Sequence, residues 1–312
     1  MPVHPKIAEL LQKRAALNLT PYHAGTPRQA RQSFETAQAA LPPNRGRPMH
    51  ATTDHQVTVA GGAITIRLHQ PKPEPSRGTI LYFHGGGWVV GELYAFDPVC
   101  RELAAASGLE VANVGYRLAP EHSFPGPVED AFTALHWLQA RSPDRPIVIM
   151  GDSAGANLAA ACAIKARDAG TPAIALQVLV YPVMDSNFTR PSYMKFGTGD
   201  YLLSTSDMKW FWSHYVADPA LRRHPLAAPL HAPNLSGLPP AIVVVAGCDP
   251  LHDEVMAYAD RLMDAGVQTE IDYCEDMIHG FFTMVDLLEP ANEAVRRVGG
   301  EIGARLRSGA RV

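Results

Sequence analysis

Apolar positions along the chain fall first at helical spacing and then in short continuous runs, and the change between the two patterns maps its elements. Near the start, Ile7, Leu10, Leu11 and Leu17 share one face of a helix over residues 6–17, and Thr26-Pro27 supplies a cap and a first-turn residue for a second helix reaching about Ala40. Leu41-Pro42-Pro43 breaks the pattern. Two alternating runs, 55–59 and 63–69, then face each other across Gly61-Gly62 as a β-hairpin. Beyond them, strand-like runs at 79–83, 110–114, 146–150, 176–181, 241–246 and 269–274 alternate with helix-like stretches. These helices are expected at 98–107, 127–139, 154–169, 252–265 and 289–306. Strand and helix in alternation put a mostly parallel sheet between helical layers, with the hairpin as its antiparallel edge and all strands in one domain. Only residues 182–240 break the rhythm: the stretch is too long for an ordinary connection, carries Trp210, Phe211, Trp212 and Tyr215, and reads as a helical insertion.

Composition narrows the partners more than the fold. The 46% apolar content is that of an ordinary globular protein, and a formal charge of −4 argues against a polyanion such as nucleic acid. Arg28, Arg31, Arg45 and Arg47, spaced out among prolines, read as a solvated face. Residues 1–20 hold no continuous apolar stretch and no later run is long enough to span a bilayer, so neither a signal peptide nor stable membrane association is expected and the chain reads as cytoplasmic. Cys100, Cys162, Cys248 and Cys274 form no CxxC pair, which in that compartment means buried, reduced thiols, Cys248 being a bystander. His122, His214, His224, His231 and His252 show no zinc-ligand spacing, and the reading requires no metal and no cofactor.

Candidate chemistry starts at Gly151-Asp152-Ser153-Ala154-Gly155, which follows one strand-like run and opens a helix. A glycine-flanked serine in that context is a nucleophile elbow, where small neighbours let the backbone turn sharply and the helix N-terminus supplies donors beside the hydroxyl. His84-Gly85-Gly86-Gly87 follows the third strand, where acyl transfer needs amide donors for the oxygen that becomes negative. The amides of Gly86, Gly87 and Ala154 are the candidates, and His84 reads as a brace for the loop. The nucleotide-binding alternative fails, because Gly85-Gly86-Gly87-Trp88-Val89-Val90 ends in valine and no GxxxxGK loop occurs.

An acid after a later strand and then a histidine should complete the site. Asp249 stands in the loop after residues 241–246, at the strand end where catalytic groups of parallel sheets collect, and Asp253, one helical turn on, is its alternative. The loop after the last strand offers one histidine, His279. In this reading Ser153 attacks a carbonyl, His279 takes and returns the proton, and Asp249 orients the imidazole.

Five motifs, His84-Gly85-Gly86-Gly87-Trp88, Tyr116-Arg117-Leu118-Ala119-Pro120-Glu121, Gly151-Asp152-Ser153-Ala154-Gly155, Asp249-Pro250-Leu251 with Asp253-Glu254, and His279-Gly280-Phe281, resemble those of the bacterial hormone-sensitive-lipase-like esterases. The likeness runs from Thr79 to the C-terminal helix. It implies an α/β-hydrolase fold with an eight-stranded, mostly parallel sheet, Asp249 rather than Asp253 as the acid, and a structural role for residues 117–121. It also implies a helical cap from residues 1–50 and 188–225, with core segments at 51–187 and 226–312. The activity implied is hydrolysis of short-chain acyl esters of small molecules, with Trp88, Phe34, Phe188, Trp210 and Phe281 as candidates to shape the pocket. A homodimer is compatible with this reading. An amide or formamide hydrolase or an acyltransferase could use the same residues, and a non-catalytic binding protein of this fold is the remaining alternative.

Overall fold

The computed structural model describes residues 3–16, 20–39, 41 and 45–307. Leu17, Ala40, Pro42 and Pro43, expected at the ends of the first two helices and in the break that follows, lie outside the described residues. Strands β1 (Ala51–Val59), β2 (Gly62–Gln70), β3 (Thr79–Phe83), β4 (Glu110–Gly115), β5 (Ile147–Asp152), β6 (Leu176–Val180), β7 (Ala241–Cys248) and β8 (Thr269–Ile278) form one sheet. Their order is β1-β2-β4-β3-β5-β6-β7-β8, antiparallel from β1 to β4 and parallel from there on. The chain is thus an α/β protein with the eight-stranded, mostly parallel sheet expected of it.

Period-two alternation sorts the side chains of the sheet onto two faces, each with its own core. Leu81, Phe83, Ile149, Leu179 and Val243 pack with helices α4 (Gly126–Arg141), α5 (Ala154–Ala169) and α8 (His252–Asp264). Ile80, Tyr82, Val148, Val178 and Val244 pack on the other side with α3 (Leu93–Ser107) and α9 (Glu289–Arg307). The central strands are buried on both faces, which is why they appear in the sequence as unbroken apolar runs.

Several boundaries differ from expectation, the first being β1, which begins at Ala51 rather than at residue 55. Helix α3 begins at Leu93, before the expected Pro98, and Pro98 sits inside it, the helix continuing through it at the loss of one backbone donor. Strands β7 and β8 run on to Cys248 and Ile278, up to the site loops. The hairpin turns at Ala60-Gly61, with Val59 paired to Gly62 and Gly61 at φ +78.

Of the N-terminal helices, α1 (Pro5–Ala16) buries Ile7 and α2 (Pro27–Ala39) buries Ala30 in the core; of the insertion helices, α6 (Pro191–Phe196) packs on α8 and α7 (Thr205–Tyr215) on the segment between α1 and α2. Thr26 and Gln29 cap α2 reciprocally: Gln29 N–H donates to Thr26 Oγ1 at 3.3 Å and Thr26 N–H to Gln29 Oε1 at 2.9 Å. Tyr22, between the two N-terminal helices, stacks on Trp210 with ring centroids 6.5 Å apart and tilts onto Phe211 at 5.6 Å. The N-terminal arginines correct the solvated-face reading. Arg31 donates to Val89 O at 2.8 Å, Ala119 O at 2.7 Å and Glu121, while Arg47 pairs with Glu102 at 2.8 Å and Arg45 donates to Gln38 at 2.8 Å. Arg28 and Arg47 are exposed, and Arg31 and Arg45 are half-buried. Guanidinium forks reach backbone oxygens several turns away, a use that sequence spacing does not reveal. No helix among the described residues is long and apolar enough to cross a membrane.

Candidate active site

Ser153 joins β5 to α5 in a conformation few non-glycine residues adopt, φ 53 and ψ −120. Such backbone costs on the order of 1–3 kcal/mol and persists only where the surroundings over-determine it. Here Ser153 N–H donates to Val180 O at 2.9 Å, and its carbonyl accepts from Asn157 N–H at 3.1 Å and Val183 N–H at 3.3 Å. The flanking glycines have a steric cause. A Cβ on Gly155 would lie 2.0 Å from Phe83 O, and one on Gly151 would lie 2.4 Å from the carbonyl carbon of Gly155. Helix α5 can therefore start against β3 only if these positions carry no side chain.

Two neighbouring parallel strands deliver the other side chains, Asp249 directly following β7 and His279 directly following β8. His279 Nε2 lies 2.9 Å from Ser153 Oγ, and His279 Nδ1 lies 2.7 Å from Asp249 Oδ2. A carboxylate accepts only, so Nδ1 carries the proton and Nε2 faces the serine hydroxyl as an acceptor. Asp249 Oδ1 accepts from Leu251 N–H at 2.8 Å, and the Tyr181 ring lies against the imidazole at 4.7 Å. Asp249 is 1% exposed, against 8% for Ser153 and 7% for His279, so the carboxylate is the most deeply buried of the three. Asp253 takes no part in this chain: its carboxylate accepts from Ser192 N–H at 2.9 Å and contacts His252 Nδ1 at 3.0 Å.

The glycine loop after β3 lies on the other side of Ser153. Gly86 is at φ +111, and a Cβ there would fall 2.1 Å from Val90 O; Gly87 is at φ +59, and a Cβ there would meet the Phe211 ring at 2.2 Å. Among the described residues the amides of Gly86 and Gly87 have no protein acceptor, and Ala154 N–H is a first-turn donor of α5 that the helix cannot satisfy. His84 Nδ1 donates to Gly85 O at 2.7 Å, with its ring between Phe96 at 5.0 Å and Tyr116 at 4.4 Å. Burial pushes the His84 imidazole down to about 4, so it is neutral near pH 7 and holds the loop in place. Arg117 N–H and its guanidinium clasp the buried Asp130 carboxylate, with Nη2 to Oδ1 at 2.7 Å, and Ala119 N–H donates to Trp88 O at 2.8 Å.

Of the aromatic side chains considered for the pocket, Trp88 and Phe281 are wholly buried. Trp88 stacks on Tyr215 at 4.0 Å, and Phe281 lies 5.9 Å from Tyr181. Phe34, Trp210 and Phe188 are half-buried against Phe96, Phe211 and Tyr193. Phe211, whose ring lies against Gly87, and Leu202, which a Cβ on Gly280 would meet at 3.6 Å, also border the site loops and were not among the sequence candidates. The run Trp210-Phe211-Trp212 signalled aromatic packing without showing which ring faces the loop. Among the described residues no cluster of His, Cys, Asp or Glu could hold a metal. The four cysteines are free, and burial raises the thiol of Cys248, whose Sγ lies 3.8 Å from Glu275 O.

A hydroxyl bonded to an imidazole, itself held by a buried carboxylate beside free amides, is equipped to carry an acyl group. A family model described as alpha/beta hydrolase fold matches residues 80–283. The chain is 36% identical to an ethyl acetate hydrolase of Pseudomonas putida over 308 residues, covering 95% of this chain and 96% of the relative. It is 32% identical to an arylesterase of Saccharolobus solfataricus over 90% of this chain and 92% of that protein. In structure it is similar to a hyperthermophilic esterase of the archaeon Pyrobaculum calidifontis, with TM-score 0.92 and 36% identity over 98% of this chain and 99% of that one.

Proposed function

The chain belongs to the alpha/beta-hydrolase-fold family and is a carboxylic ester hydrolase, and we propose that its acyl transfer runs through Ser153, His279 and Asp249. The observation that carries this assignment is the unbroken chain of contacts from Ser153 Oγ to His279 Nε2 at 2.9 Å and from His279 Nδ1 to Asp249 Oδ2 at 2.7 Å.

His279 Nε2 takes the hydroxyl proton as Ser153 Oγ attacks the ester carbonyl, and the carbonyl oxygen becomes an alkoxide facing the amides of Gly86, Gly87 and Ala154. Asp249 keeps the proton on Nδ1 and offsets the charge of the imidazolium that forms. The alkoxide collapses, the C–O bond to the alcohol breaks, and His279 returns its proton to the departing oxygen. Water then repeats the sequence on the acyl-enzyme and frees the acid. Donors already in place where charge develops can each contribute on the order of 10²- to 10³-fold.

Residues 1–50 and 188–225 form a cap over this centre, a reading supported by Tyr22 on Trp210 and by Phe211 against Gly87. The low exposure of Ser153 and His279 and the fully buried Trp88 and Phe281 favour short acyl chains, with Phe34, Phe188 and Trp210 toward the outer wall. The ethyl acetate hydrolase among the relatives supports the same range. The experiment is steady-state hydrolysis of acyl esters of increasing length by the native protein and Ser153→Ala. Turnover should fall by about 10⁶-fold in the variant, as when one member of a concerted triad is removed. Substantial turnover without the hydroxyl would refute the assignment, and equal rates for short and long acyl chains would refute the size limit.

A further inference from the structure

Asp152, the residue before the nucleophile, has no part in the proton path described above, yet it is 4% exposed. Its Oδ1 accepts from Tyr82 O–H at 2.6 Å and from Gly85 N–H at 2.9 Å. A Cβ on Gly85 would lie 2.3 Å from Asp152 Oδ2. The first glycine of the triplet is therefore bare to admit this carboxylate, whereas the next two are bare for turns against Val90 and Phe211.

Among the described residues no permanent cation accompanies the group. The titratable side chains facing it are Tyr82 on β3, Cys100 on α3, Tyr116 after β4, Tyr181 after β6 and His279 after β8. Burial raises the hydroxyls and the thiol well above their ordinary values, so they stay neutral, and His84 in the same loop is neutral as well. An uncompensated buried carboxylate is costly, and a fold that only needed packing would carry an apolar residue there.

We propose that Asp152 is a positioning residue whose ionised carboxylate grips the amide of Gly85 and so fixes the glycine loop against the serine it adjoins. The inference rests on the reading of Gly86 and Gly87 as oxyanion donors. A charged acceptor holds an amide about twice as strongly as a neutral one, and this acceptor is bonded to the nucleophile's own backbone. Donors and nucleophile therefore move as one piece, which is what preorganisation requires. Burial is the largest influence on the Asp152 carboxyl and pushes it up to about 6, against the opposing bonds from Tyr82 and Gly85. The grip is full above that pH and is released as pH falls through it. Folding disfavours the charge, so the contribution to stability runs the other way: it is greatest in acid and is lost as pH rises through about 6.

The test is a pH–rate profile for native protein, Asp152→Asn and Tyr82→Phe, with Ser153 titrated in each by a p-nitrophenyl phosphonate. Native kcat/KM should fall in acid with two protons, one of them on Asp152. Asp152→Asn should fall with one, lose about 10- to 100-fold in kcat at pH 8 with KM nearly unchanged, and melt no lower there than the native protein. Tyr82→Phe removes a bond that stabilises the charge, so its acid limb should move to higher pH. Native kcat and a two-proton limb in Asp152→Asn would overturn the proposal. Should that variant fail to fold, an unmoved limb in Tyr82→Phe overturns it. Failure of the phosphonate to label Ser153 in native protein would instead defeat the site assignment beneath it.

Discussion

The two sides of the catalytic centre are held by different means. On the nucleophile side, backbone meets backbone: Gly155 on Phe83 O, Gly86 on Val90 O, and Ser153 in a conformation that only its surroundings sustain. On the base side, Asp249 and His279 follow β7 and β8, whose backbones also meet closely, a Cβ on Gly247 falling 2.0 Å from Glu275 O, but the two side chains themselves are joined by a hydrogen bond. The turn that carries the serine is set chiefly by what cannot fit, the orientation of the imidazole by what is attracted. Steric fixing should fail as a unit when an atom is added, whereas an attractive link should lose rate and leave the fold standing.

The largest effect therefore belongs to Gly155→Ala. With a methyl group required 2.0 Å from Phe83 O, either α5 or β3 must shift, and both are buried throughout their contact. The cost should exceed about 4 kcal/mol, the range reached only by severe core disruption. Denaturant unfolding, or loss of folded protein on expression, measures it. A stable and active Gly155→Ala protein would erase the distinction between the two sides.

Asp249→Asn tests the other side. The amide can no longer hold the proton on Nδ1 by accepting alone, so kcat/KM should drop by about 10⁴-fold, as for the equivalent change in serine proteases. The melting temperature should move far less than in Gly155→Ala. Parallel melting curves and kinetics separate the outcomes, and a loss of fold equal to the loss of rate would count against a purely attractive link.

Between these extremes lies Gly87, where the obstacle is a ring of the insertion rather than backbone. Alanine at φ +59 costs about 1–2 kcal/mol by itself. Its methyl would also displace Phe211, so kcat should fall on the order of 10²-fold, the cost of losing one oxyanion donor. Phe211→Ala in the same chain should return roughly ten-fold, because contacting residues couple in a double-mutant cycle. Strict additivity would mean that Phe211 does not bear on the loop.

The same contrast explains what could be seen in the sequence. Steric demands leave glycines in fixed order, so the elbow, the loop and the boundaries of α5 were legible. Apolar runs located the buried strands because both faces are covered. Attractive links leave weaker traces: Asp249 was preferred to Asp253 only by its place at a strand end and by resemblance. Contacts made across the fold left none, as with Arg31 on Val89 O and Ala119 O, Tyr22 on Trp210, and Phe211 over Gly87. Asp152 did leave a trace, a carboxylate in an otherwise small and apolar elbow, but its partner Gly85 lies in another motif and only the fold joins them.

The smallest effect, at Asp253, sharpens the comparison most finely because Asp253 has Asp249's chemistry four positions along the same chain. Its carboxylate accepts from Ser192 N–H at 2.9 Å, and its own N–H donates to Ser192 Oγ at 3.3 Å, which ties the start of α8 to α6 of the insertion. Ser192 Oγ in turn donates to Pro250 O at 2.7 Å, beside Asp249. Asp253→Ala removes one arm of that tie and leaves the backbone arm and the Pro250 bond in place. A hydrogen bond of this kind contributes about 1 kcal/mol, so the midpoint of unfolding should fall slightly, while kcat/KM at pH 8 should stay within about three-fold of native. The variant thus removes a carboxylate next to the acid loop without touching the imidazole. If it matched Asp249→Asn in rate, the proton on His279 Nδ1 would have to be controlled from both aspartates, and the attraction on the base side would be spread over the loop instead of residing in one bond.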